Sequence, residues 1–501
     1  MTWINNATNS PTALMKKVSC GLIIVVSLYV IAPSLSALVF GDPKQRIKKY
    51  TTVGLINRGN DCFITSSLQG LAGMPRFVEY LKQIKSILQE LKSNPSRKAK
   101  VDNLIVDDVV SCIRFRNSPD SLAPLHESLM ALIFDLVSVR ESKKSVSPQM
   151  VINTLEAIFK SKMSSRQNDA HECTLLMLQT LQKERSNLVG YTQYMPEINI
   201  PNFPFEGETS KFLVCLQCKG LSKPSYQQTF IRELSVPQQT SEKLLTILAN
   251  DETEIIEDYS CSICQIRAIL NHERYRNFKD CTPEELLMIE ALKNYATKAS
   301  INEDLPPELE QYIKRYSKDK LHISKVKGKI IKKDVAVQLP DILVVHLSRS
   351  TFNGITYCRN PCNVEFGERV KLPEYTLAEN RAITENRQVK YNLKSVVKHT
   401  GSHSRGHYIC YRRKADIRFD KGEESSLEGA STIVNNEAKT RNHDQKIGHN
   451  DDRRSRHKKV KSVLQYPYWQ ISDTAIEEST TSTVLNEQKY VYMLYYERVR
   501  K

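Results

Sequence analysis

The longest apolar stretch of the chain lies near its start: residues 18–40 run for 23 positions without a charge, VSCGLIIVVSLYVIAPSLSALVF. As a helix rising ~1.5 Å per residue this run spans roughly 34 Å, slightly more than a ~30 Å hydrocarbon core. The pattern predicts one transmembrane helix, kinked at Pro33 but not barred by it. Residues 1–17 form a short segment before it and residues 41–50 a basic tether after it. Lys16 and Lys17 precede the run, and Lys44, Arg46, Lys48 and Lys49 follow it, so the heavier positive flank places the bulk of the chain in the cytosol. A cleaved secretory signal is the rival reading, because Ser34, Ser36 and Ala37 are small; the run exceeds the usual ~7–15 residues of such a signal. Farther on, Ile64, Leu68, Leu71 and Ala72 recur at helical spacing, and positions 408–412 alternate like a strand.

Two stretches break the globular pattern of residues 51–497 and read as insertions. A charged, helix-like region covers about 265–333. Residues 414–461 carry Phe419 as their sole aromatic and cannot bury a core. No internal repeat of ~20–50 residues is present.

Composition narrows the class. The 501 residues are 40% hydrophobic and 26% charged, which excludes wholesale disorder, and the 17 glycines exclude a collagen-like chain. The net charge of +16 admits nucleic acid or an anionic surface as partner. Between 314 and 333, nine of 20 residues are Lys or Arg, yet only Tyr316 interleaves them. The run therefore reads as a solvated basic loop, and not as a stacking platform for nucleic acid.

The 12 cysteines matter by their grouping. Cys215-Leu216-Gln217-Cys218 and Cys261-Ser262-Ile263-Cys264 are two C-x-x-C knuckles whose spacing suits a four-thiolate structural zinc joining two hairpin tips. Thiolate ligands need a reducing compartment, which agrees with a cytosolic domain. Cys62 follows a Gly/Asn-rich loop and opens the 64–72 helical pattern, where the helix dipole favours thiolate. Asn57, on that loop, can present its amide as an oxyanion donor. Far downstream, Gly406-His407 enters the 408–412 strand, and Trp469-Gln470-Ile471-Ser472-Asp473 offers a carboxylate to orient the imidazole. A cysteine followed at long range by a histidine on a strand is the arrangement of a thiol protease.

These blocks carry a resemblance. Residues 54–69 resemble the cysteine box of the ubiquitin-specific proteases, and 391–411 resemble their histidine box. Gln167-Asn168-Asp169-Ala170-His171-Glu172, Pro204-Phe205-Glu206-Gly207, the strand 339–349 and the ends 469–473 and 490–496 resemble further blocks in family order. The resemblance implies an α+β, papain-like fold of thumb, palm and zinc-bearing fingers, with no catalytic cofactor and with ubiquitin's tail threaded into the cleft. It makes Cys62 the nucleophile, His407 the base, Asp473 its orienting residue and Asn57 the oxyanion donor, with Asp169 and Glu172 facing the arginines of the ubiquitin tail. The anchor resembles that of members tethered to the mitochondrial outer membrane, including a fungal one; the endoplasmic reticulum is the alternative.

Several positions depart from the family pattern. Asp61 stands where a small hydroxyl residue usually precedes the nucleophile, and its charge would oppose thiolate formation. Thr65, Cys173, Ser350 and Thr474 also differ. A catalytically weak, membrane-tethered ubiquitin-binding module is the second reading these departures permit. A basic zinc-bearing nucleic-acid binder is the third, and it leaves the cysteine and histidine boxes unexplained.

Overall fold

The computed structural model describes residues 51–93, 122–138, 144–162, 168–279, 281–298, 300–301, 303–319, 321–352, 354–377, 383–402, 406–414 and 465–500. The expected membrane segment 18–40, its flanks and nearly all of the 414–461 insertion lie outside them. Among the described residues no helix is long and apolar enough to cross a membrane.

The N-terminal half is helical. Strand β1 (Val53–Leu55) leads through the 56–61 loop into α1 (Cys62–Ala72), followed by α2 (Pro75–Ser93) and α3 (Pro124–Val137). Strand β2 (Lys144–Val146) pairs in parallel with β1, and α4 (Gln149–Phe159) and the long α5 (Ala170–Thr192) complete this half. The buried Glu184 of α5 accepts the N–H groups of Leu125 and His126 at 2.8 and 3.0 Å. It thereby caps the start of α3, which has no cap of its own.

The second half is mostly strand. β3 (Gly207–Cys215), β4 (Ser225–Thr229), β5 (Ile231–Ser235), α6 (Leu244–Asp251) and β6 (Thr253–Tyr259) come first. Helices α7 (Ser262–Tyr275), α8 (Pro283–Lys298) and α9 (Pro307–Arg315) then pack a small core of their own around Ile266, Ile269, Leu292 and Ile313. The chain returns as β7 (Gly328–Gln338), β8 (Ile342–Ser348), β9 (Arg369–Leu377), β10 (Ile383–Gly401), β11 (Gly406–Arg413), β12 (Tyr468–Ser472), β13 (Ala475–Ser479) and β14 (Val491–Arg498).

Two larger sheets result. One runs β4-β3-β7-β6 and carries the cysteine knuckles at one end; the other has the order β13-β12-β11-β10-β14-β8-β5, with β9 also on β10. Because β7 is the centre of the first sheet, residues from 328 onward are not part of an insertion, as the basic run had suggested. The lysines misled: Lys329 and Lys332, on β7, pair with Glu257 and Glu254 of β6 at 2.5 and 2.9 Å. Cross-strand pairing, not a solvated loop, accounts for that charge.

Helix α1 is buried at every position, wedged between the other helices and the larger sheet. Its hydroxyls survive burial by bonding within the chain: Ser66 and Ser67 donate to Phe63 O at 3.1 and 2.8 Å. The wedge is tight. A Cβ on Gly73, just past the helix, would lie 2.0 Å from Ser395 Oγ and 2.8 Å from Arg412 Cγ. Arg412 of β11 is itself buried beneath the helix, and among the described residues no carboxylate pairs with it. Its guanidinium donates to Gln69 Oε1 at 2.7 Å, to Leu136 O at 2.9 Å, and closely to Thr52 Oγ1. One side chain so ties β11 to α1, to the end of α3 and to the residue before β1. Truncation leaves several buried acceptors unsatisfied, so Arg412→Ala should cost about 3–5 kcal/mol of stability in denaturant unfolding, and a loss below about 1 kcal/mol would contradict this assignment.

Candidate active site

Cys62 is the first residue of α1 and only 4% exposed. The backbone N–H groups of Tyr408, Cys62 and Phe63 point at its sulfur, so the start of α1 meets the start of β11 at the thiol. His407 immediately precedes Tyr408 and opens β11 opposite Thr400 of β10. Helix-on-sheet packing thus brings the Cys62 sulfur against the backbone of the residue that follows His407, itself 345 positions from Cys62 in the sequence.

The partner of the imidazole differs from the expectation. His407 Nε2 lies 2.8 Å from Ser472 Oγ, and Asp473 faces elsewhere. Register gives the reason. Cys410 pairs with Ile471 across β11 and β12, so on the same register Ser472 falls opposite Ile409 and is the diagonal neighbour of His407 on the same face. Asp473 lies past the strand end, in the tight turn to β13, with φ 52°, a left-handed conformation that Asp tolerates in hairpin turns. Its carboxylate turns to the other side. There Oδ1 accepts from Thr65 Oγ1 at 2.7 Å and Oδ2 from Asn57 Nδ2 at 3.1 Å.

Asn57 is held from both ends. Its Oδ1 accepts the N–H groups of Gly59 and Asp61 at 2.9 and 3.2 Å, while its Nδ2 is fixed on Asp473. The loop is pinned to the same turn by Leu55 N–H donating to Asp473 O at 2.9 Å. A Cβ on Gly54 would meet Thr474 Cα at 2.9 Å, so the approach needs glycine. Ser472 was not singled out in the sequence, and Thr65 only as a departure from the family pattern, without a role. Strand alternation before the turn is the signal that points to Ser472, whereas the bond of Thr65 to Asp473 follows only from the packing of α1 on the turn.

The helix start does not by itself make a thiolate. Burial pushes the Cys62 thiol above its ordinary value, the Asp473 charge raises it further, and the three N–H groups do not offset this. Asp473, rather than the adjacent Asp61, exerts the largest charge effect on it. Asp61 is buried at the cap position without a capping bond, and its Oδ1 has no hydrogen-bond partner.

Asp169 caps α5, accepting His171 N–H at 2.7 Å and, closely, the Tyr492 hydroxyl; Glu172 in the first turn is exposed. The four knuckle cysteines also converge. Cys215 and Cys264 have Sγ atoms 3.5 Å apart, Cys218 and Cys261 3.7 Å, and all four lie within 4.8 Å of one another. A tetrahedral zinc–thiolate site with ~2.3 Å bonds has sulfurs about 3.8 Å apart, so the donor set fits that ion.

The family model for ubiquitin carboxyl-terminal hydrolases matches residues 53–496. The chain belongs to that family. It is 73% identical over 501 residues to ubiquitin carboxyl-terminal hydrolase 16 of Saccharomyces cerevisiae, covering 100% of both chains. It is 22% identical over 426 residues to ubiquitin carboxyl-terminal hydrolase 30 of Xenopus tropicalis, covering 75% of this chain and 76% of that one. Among solved structures, the SAGA Ubp8/Sgf11/Sus1/Sgf73 DUB module bound to ubiquitin aldehyde aligns at 15% identity and a TM-score of 0.48, over 94% of this chain and 76% of that chain. This hydrolase is a cysteine-type deubiquitinating peptidase with a mixed helix-and-sheet catalytic domain.

Because the Asp473 charge raises the Cys62 thiol, Asp473→Asn should lower that thiol's pKa. Its alkylation by iodoacetamide should then quicken at neutral pH, about tenfold for each pKa unit recovered. An alkylation–pH profile that stays in place or moves to higher pH would show that the carboxylate does not act on the thiol.

Proposed function

We propose that this hydrolase is anchored to a membrane through residues 18–40, faces the cytosol, and cleaves the bond after the C-terminal glycine of ubiquitin on conjugated proteins. The observation that carries the catalytic part is the meeting of the Cys62 sulfur with the start of β11, beside a His407 whose Nε2 is engaged by Ser472. That engagement leaves Nδ1 to take the thiol proton. The thiolate attacks the glycine carbonyl carbon, and the oxyanion forms against the Cys62 backbone N–H and the second N–H of Asn57 Nδ2, the first being committed to Asp473. His407 returns the proton to the departing amine, and water then hydrolyses the thioester.

In this reading Ser472 orients the imidazole, and Asp473 positions Asn57. A hydroxyl stabilises imidazolium less than a carboxylate would, which suits a buried thiol held neutral until substrate arrives. Asp169 and Glu172 present negative charge to the basic tail of ubiquitin, Asp169 while also capping α5. Zinc on Cys215, Cys218, Cys261 and Cys264 would fasten the end of β3 to the start of α7; it supplies structure, not catalysis. The uncharged span and the basic residues after it support the anchor, and the resemblance to tethered members favours the mitochondrial outer membrane.

Ubiquitin carrying a C-terminal electrophile should label Cys62. Cys62→Ser should abolish turnover while keeping ubiquitin binding, and surviving turnover in that variant would remove Cys62 from the nucleophile's place. Ser472→Ala should lower kcat about tenfold or more at nearly constant KM, a larger loss at Asp473→Ala alone pointing back to the aspartate as orienting residue. Elemental analysis should find zinc bound by the four thiols, and chelation should lower the melting temperature; zinc-free protein of unchanged Tm contradicts the site. Protease added to intact organelles should remove the catalytic domain, with the protein retained in membranes after alkaline carbonate. A protected domain, or a mature N-terminus near Ala37, would instead mark a cleaved signal.

A further inference from the structure

Three metal-ligating side chains that the proposed hydrolysis does not use converge at the start of α5. His346 lies in the middle of β8 directly opposite Glu233 of the parallel strand β5, so their side chains leave the sheet on one face. His171, in the first turn of α5, covers them. Its imidazole stacks on that of His346 with centroids 3.9 Å apart and planes at 7°. Its Nε2 stands 3.0 Å from Glu233 Oε1. One ligand atom from each of the three lies within 4.8 Å of the others.

The hydrogen bonding of this cluster is incomplete. His346 is 7% exposed, and neither of its ring nitrogens has a hydrogen-bond partner. His171 Nε2 is also buried without one, since its approach to the Glu233 carboxylate is off the hydrogen-bond direction. Buried polar atoms left unsatisfied cost about 1–3 kcal/mol each, and here three of them fall on one stacked pair of imidazoles, which calls for a common partner. Two imidazole nitrogens and one carboxylate oxygen make up a known donor set for zinc. They are too few in oxygen for calcium or magnesium, and they lack the sulfur that selects copper(I).

We propose that His171, His346 and Glu233 form a second metal site that takes a divalent ion of the zinc class, with water completing its coordination. Ligands of one tetrahedral nitrogen–oxygen site stand about 3.3 Å apart, so capture needs a contraction of at most about 1.5 Å. The rings must also swing out of parallel, since both lone pairs have to converge on one ion. The site borders Asp169: His171 N–H donates to its carboxylate, and Tyr492 packs edge-on to His346 at 4.7 Å while giving its hydroxyl to the same carboxylate.

The test uses the purified full chain with its four-cysteine site already filled with zinc, titrated with cobalt(II). One further equivalent should bind, with d–d absorption but no thiolate-to-cobalt charge transfer. Glu233→Gln, a change at a side chain that is 58% exposed and so safe for folding, should weaken that equivalent about tenfold or more. His346→Gln should remove it. Failure of wild type to take a second equivalent would overturn the site, as would an affinity untouched by Glu233→Gln. A second equivalent that carries sulfur charge transfer and disappears in Cys62→Ser belongs to the catalytic thiol, and would overturn the site as well.

Discussion

Everything at the thiol depends on how closely α1 can lie on the larger sheet. The helix carries Cys62 on its first residue, while His407 and its hydroxyl partner Ser472 come from strands beneath it. Contact at that range leaves no room for a side chain at Gly73, and Arg412 under the helix finds carbonyl, amide and hydroxyl oxygens as its acceptors. An ion pair there would have brought in a second charge to desolvate. A fork of donors spread over three separate segments instead fixes the helix's height and direction, which a point charge could not do.

The same closeness explains the resting state of the site. A thiol so little exposed pays for desolvation when it ionises, and the nearest strong charge is negative. The donors that could favour thiolate are backbone N–H groups, the same kind of group that stabilises an oxyanion. The geometry is therefore organised for the charge that develops on substrate more than for a pre-formed ion pair.

Where chemistry is carried by local sequence, the chain was readable. Cys62 at a helix start, His407 at a strand entry and two C-x-x-C turns each sit in a short segment whose own pattern defines the backbone around them. Legibility ended where pairing between strands decides direction. Whether Ser472 or Asp473 faces the imidazole is set by a register with β11, and a shift of one residue exchanges the two faces. The lysines of β7 looked like a solvated loop because their acidic partners lie on β6, over 70 positions earlier. His171, Glu233 and His346 belong to three separate elements, and nothing short of the sheet order with a helix laid across it brings them together.

The position of β14 has a consequence for biosynthesis. This strand follows every other strand of the larger sheet in the chain, yet it lies in the interior of that sheet between β10 and β8, with Val491, Met493, Leu494, Tyr495 and Tyr496 all buried. Until it is made, β10 and β8 present two open edges and an uncovered apolar face. The ribosome thus releases the N-terminal residues long before the catalytic domain can close. A nascent chain lacking this strand has no completed sheet beneath α1, and its open edges are exposed to wrong pairings until the last strand arrives.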